Sequence, residues 1–68
     1  MKHTYFLELG RQLGTNTFKF LWLRTYENAF DFRYDITIIK GALEATGMFE
    51  RIDEYENENE TFCYIILK

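Results

Sequence analysis

The chain has 68 residues, a formal net charge of −3, 19% aromatic side chains, one cysteine and no proline. That length describes one domain, residues 1–68, and the aromatic content lies far from disordered composition. A lone Cys63 excludes an internal disulfide, and Cys63 with His3 is too small a set for a structural metal site, so no cofactor or metal is expected.

Residues 1–13 read as a strand, with Tyr5, Leu7, Leu9 and Leu13 on one face and Thr4, Glu8 and Gln12 on the other. Phe6 breaks that alternation, and a helix placing Tyr5, Phe6, Leu9 and Leu13 on one arc is the alternative. Gly14, Thr15 and Asn16 then form a turn signal. Residues 17–26 (TFKFLWLRTY) are aromatic and β-branched, which predicts a strand. Strict alternation puts Phe18, Phe20, Trp22 and Tyr26 on one side and Lys19, Leu21, Leu23 and Thr25 on the other. Residues 27–34 hold the turn formers Asn28 and Asp31 and read as a connection pinned by Phe30 and Phe32.

Residues 35–47 predict an amphipathic helix, with Ile36, Ile39, Ala42, Leu43 and Thr46 at helical spacing. Asp35 suits its N-cap and Gly47 its stop. Residues 48–55 and 61–67 then predict a hairpin turning at residues 57–59. The expected fold is α+β, in the order β-β-α-β-β: a four-stranded antiparallel sheet with one helix on one face. One helix covers one face only, and both faces of the inner strands look apolar. Leu21, Leu23, Ile65 and Leu67 are therefore expected at an interface, with a homodimer or a hydrophobic partner.

Chemistry is sparse. His3 lies close to the start of the sequence and reads as a solvated side chain. Cys63 reads as a small buried hydrophobe without a base beside it. Gly10 and Gly14 lack the lysine and the strand-to-helix setting of a phosphate loop and read as a turn or bulge. Residues 53–60 lack the central glycine of a calcium loop. These readings argue against an enzyme.

Charge is the distinctive signal. Residues 1–52 are near balance, with seven basic and six acidic side chains, whereas residues 53–68 hold five acidic side chains against Lys68 alone. The excess sits in DEYENENE, residues 53–60. Its bland role is solubility and protection of a sheet edge. Its functional role would be docking, with Asp53, Glu54, Tyr55, Glu56, Glu58 and Glu60 occupying a basic surface that normally holds nucleic acid. Small acidic proteins of that type serve phages and mobile elements as inhibitors of host proteins.

The order of helix, Gly47-Met48-Phe49-Glu50-Arg51-Ile52, acidic turn and Cys63-Tyr64-Ile65-Ile66-Leu67 also resembles the C-terminal half of a winged-helix domain. The resemblance covers residues 35–67 and implies a small transcriptional regulator if residues 5–13 and 18–28 are helices. Direct nucleic-acid binding conflicts with a wing tip carrying Glu54, Glu56, Glu58 and Glu60, since duplex affinity comes largely from lysine and arginine. The sequence contains no apolar run near the roughly 20 residues of a membrane helix. With no export pattern in residues 1–15 and a free thiol, a cytoplasmic protein is expected.

Overall fold

The computed structural model describes residues 2–68; Met1, the first residue of the predicted N-terminal strand, lies outside them. Four strands and one helix follow in the order β1 (Thr4–Gln12), β2 (Phe18–Tyr26), α1 (Ala29–Ala45), β3 (Phe49–Glu56) and β4 (Glu60–Leu67). The fold is α+β. Both halves of the N-terminal region are strands, so the winged-helix alternative, which needs helices there, does not describe this chain.

The sheet runs β2-β1-β4-β3 and is mixed rather than wholly antiparallel. The hairpins β1/β2 and β3/β4 are antiparallel, but the central pair β1/β4 is parallel, with Tyr5 opposite Thr61 and Leu9 opposite Ile65. A parallel pair needs a crossover between its strands, and here β2, α1 and β3 together supply it. Being central, β4 is buried along most of its length: Thr61, Cys63, Ile65, Ile66 and Leu67 are all buried. Cys63, Ile65 and Leu67 of its apolar run lie on the helix side, and Phe62, Tyr64 and Ile66 on the face that α1 does not cover.

The helix begins six residues before the predicted start. Asn28 is its N-cap, its side-chain oxygen accepting from the backbone N–H groups of Phe30 at 2.7 Å and Asp31 at 3.3 Å. Residues 29–34 of the stretch expected to be a connection therefore belong to α1. Asp35 lies inside the helix, where it accepts a 2.6 Å hydrogen bond from the Tyr26 hydroxyl and pairs with Arg24 at 3.2 Å. At the other end the chain turns away through Gly47, whose φ of 73° is the left-handed stop that its sequence position predicts.

The core lies between α1 and one face of the sheet. Phe32 and Ile36 of the helix meet Leu7, Cys63 and Ile65, with Tyr5, Leu9, Trp22, Tyr26, Ile39, Leu43, Phe49 and Ile52 packed around them. Phe32, rather than pinning a loop, is a fully buried anchor; Phe30 is 75% exposed. It begins an apolar stripe with Tyr34 and Ile38 on the solvent side of α1, four residues apart each time.

Two bulges set which side chains reach the other face. In β1/β2, Leu9 pairs with Trp22 and Gly10 with Phe20, leaving Leu21 unopposed. Because strand side chains alternate, one extra residue moves everything beyond it to the opposite face. Trp22 and Tyr26 therefore point to the helix, while Phe18 and Phe20 point away from it, instead of all four sharing a side. In β3/β4, Glu50 is unopposed between the pairs Phe49–Leu67 and Arg51–Ile66. Phe49 joins the core, and Arg51 turns to the uncovered face.

Candidate interaction site

The face of the sheet away from α1 is lined by aromatic rings from three strands and β1. Phe6 stacks on Phe62 at 4.8 Å, and Phe62 continues to Tyr64 at 6.4 Å. Tyr64 then meets Phe20 on one side at 5.6 Å and Tyr55 on the other at 5.8 Å. Those two rings are inclined to Tyr64 by 50° and 64°, so they stand as walls above it rather than lying flat.

The space between them is a hollow of about 170 Å³ lined by Phe18, Phe20, Asp53, Tyr55, Tyr64 and Ile66. Phe20 comes from the far edge strand and reaches β4 by leaning across Gly10, its Cδ1 lying 2.7 Å from where a Cβ would stand. On the opposite edge Arg51 holds Asp53 at 3.0 Å through Nε, donates to the Gln12 side chain through Nη1, and lies 5.6 Å over the Phe18 ring. Burial raises the Tyr64 hydroxyl above its ordinary pKa, with Glu8 and Tyr55 adding to the effect, so it stays a neutral donor.

The acidic segment divides between two faces. Asp53, Tyr55 and Glu60 alternate onto the aromatic face, where Asp53 pairs across β4 with Tyr64 and Tyr55 with Phe62. Glu54 and Glu56 turn to the helix side: Glu54 forms an ion pair with Arg33, and Glu56 accepts a hydrogen bond from Thr61. Glu58 stands at the tip of a turn closed by Asn57, whose side-chain oxygen accepts from the backbone of Asn59 and Glu60. Of the six acidic-turn residues, Asp53, Tyr55 and Glu60 thus share the aromatic face, Glu58 stands at the tip, and Glu54 and Glu56 turn to the helix side.

The apolar residues expected at an interface divide in the same way. Leu23 is 57% exposed on the aromatic face, and Leu21, the bulge residue, is half exposed. Ile65 and Leu67 point to the helix and are buried in the core. Their strand contributes Phe62 and Tyr64 to the uncovered face instead, with Ile66 on that side but buried.

His3 is not a solvated side chain. It is half-buried, stacks on Tyr5 at 4.8 Å and bonds the Thr61 hydroxyl at 2.8 Å. Since that hydroxyl donates its one proton to Glu56, His3 Nε2 is the donor to Thr61. Burial lifts the Cys63 thiol to about 11, which keeps it protonated and unreactive. No group of three or more His, Cys, Asp or Glu among the described residues is placed to hold a metal, and no helix is long and apolar enough to cross a membrane.

No family model, curated protein or solved structure matches the chain.

Proposed function

We propose that this domain is a non-enzymatic protein-binding module that docks on the basic surface of a nucleic-acid-binding protein. It would act as an inhibitor, in the manner of the small acidic proteins phages and mobile elements direct at their hosts. The observation that carries this reading is the uncovered aromatic face, which Tyr55 and Glu60 of the acidic hairpin extend toward the tip that holds Glu58. Large exposed apolar patches rimmed by polar groups mark interaction surfaces. Buried aromatic anchors dominate binding energy, while rim carboxylates steer a basic partner into place.

Charge favours such a partner over a second copy. The strand positions of the aromatic face hold Glu8, Asp53 and Glu60 with Arg51 as their one cation. Stacking two such faces would set like charges against each other, whereas a lysine- or arginine-rich surface complements them.

The test is capture of basic proteins from lysate by wild type and by the double variant Glu58→Gln, Glu60→Gln, with a short DNA duplex as competitor. Capture should fall at least tenfold in the variant, and the duplex should release what wild type holds. Equal capture by both proteins, or capture indifferent to the duplex, would overturn the reading.

A further inference from the structure

We infer that the hollow between Phe20, Tyr55 and Tyr64 is a receptor for a single arginine side chain of the partner protein. This deepens the protein-binding reading above and rests on it for the source of that side chain. Three observations point to this occupant: the surrounding rings, the net negative charge of the face and size.

The rings come first. Tyr64 forms the floor, and Phe20 and Tyr55 rise from opposite edges of the sheet at 50° and 64° to it. A cation entering there stands among three aromatic rings, the setting in which aromatic cages hold positive charge. Ile66 and Phe18 also line the hollow, with apolar surface suited to the methylene stem of a long side chain.

Beside an ion pair between Arg51 and Asp53, Glu8 and Glu60 leave this face net negative, and the carboxylate at the wall is that of Asp53. Its Oδ2 accepts from Arg51 Nε at 3.0 Å, and its second oxygen has no protein donor among the described residues. Glu8, beside Tyr64 in the neighbouring strand, adds a second carboxylate to the same face. The protein already shows which cation suits this setting: the Arg51 guanidinium bonds Asp53 and lies over Phe18. A guanidinium can stack on a ring while donating within its plane to a carboxylate, which a hydrated ammonium does less well.

At about 170 Å³ the hollow is smaller than the roughly 300–1,000 Å³ of ordinary small-molecule sites. It fits one side chain rather than a cofactor. The pattern is a hot spot: one aromatic-lined socket at the centre of a docking face, with charged residues at its rim.

The experiment is an NMR titration of isotope-labelled protein with blocked arginine amide, blocked lysine amide and blocked citrulline amide, the last being the neutral isostere of arginine. Saturable shifts are expected at Phe20, Asp53, Tyr55 and Tyr64 with arginine, at least threefold weaker affinity with lysine, and no saturable shift with citrulline. Asp53→Asn and Tyr55→Ala change partly exposed side chains, so both variants should stay folded by circular dichroism. Each should bind arginine at least fivefold more weakly, while Tyr55→Phe, which keeps the ring, should bind like wild type. Equal binding of citrulline, shifts centred elsewhere, or unchanged affinity in Asp53→Asn would overturn the inference. If arginine produces no shift while hairpin-dependent capture persists, the socket falls and the protein-binding reading stands. If arginine binds as expected while capture ignores the hairpin, the socket stands and that reading falls.

Discussion

At position 10 a Cβ atom would stand 2.7 Å from Cδ1 of Phe20 and 3.0 Å from the carbonyl oxygen of Lys19. Neither can yield without moving the Phe20 ring or the edge strand that carries it. Gly10→Ala should therefore cost roughly 1–3 kcal/mol in chemical denaturation, the range of an overpacked site. It should also remove the Phe20–Tyr64 contact from the NOE spectrum. Cys63 carries a different prediction. Its thiol is raised from an ordinary 9.0 to about 11, by burial first and by Glu54 second, with Arg33 opposing. Between those two pH values the unfolded chain has released the proton and the folded chain retains it. Stability should thus be unaffected below about pH 9 and fall as pH rises toward 11. Urea midpoints across that window check the slope, and Cys63→Ala should flatten it. Tyr26, raised to about 12 by burial and by its bond to Asp35, adds a further loss above its ordinary 10.0.

The helix owes its start to one side chain. Asn28→Ala should cost about 1 kcal/mol, the usual value of an N-cap, read from the denaturation midpoint. Phe32→Ala, at a fully buried position, should cost about 3–5 kcal/mol and leave so small a domain largely unfolded by circular dichroism. The later turns of α1 were legible because Ile36, Ile39 and Leu43 repeat on one side. The first turns were not, because Asn28 and Asp31 are also turn formers, and Phe30, Tyr34 and Ile38 put apolar residues on the wrong side. The strands were legible from their aromatic and β-branched composition. The change of face at Leu21 was hidden, since a bulge has no fixed residue signature. Gly10 opposite it, read as a turn or bulge, was the available hint. The acidic hairpin was plain as a charge run, yet only the register with β4 separates Asp53, Tyr55 and Glu60 from Glu54 and Glu56.

The arrangement of the two hairpins was beyond local reading. Each hairpin is specified by its own turn, but nothing within either one says that β1 and β4 will pair, or in which direction. The apolar run of residues 63–67 fits a strand awaiting a partner molecule as well as it fits the central strand that β4 is. Once β4 is central, the uncovered patch centres on the half-buried Phe62 and Tyr64, with the exposed rings of Phe20 and Tyr55 beside them. The tip carboxylates lie away from the core, so Glu58→Gln with Glu60→Gln should leave stability within about 0.5 kcal/mol, measured by urea denaturation. A loss of partner capture in that variant is then a loss of contact, not of fold. The strand order β2-β1-β4-β3 has one more consequence. The hollow takes walls from both edge strands, its floor from β4, and its clearance from Gly10 of β1, so no fragment of the sheet can assemble it. Whatever fills it is thermodynamically linked to global unfolding: an occupant selects the complete native state and should raise the melting temperature with the logarithm of its concentration.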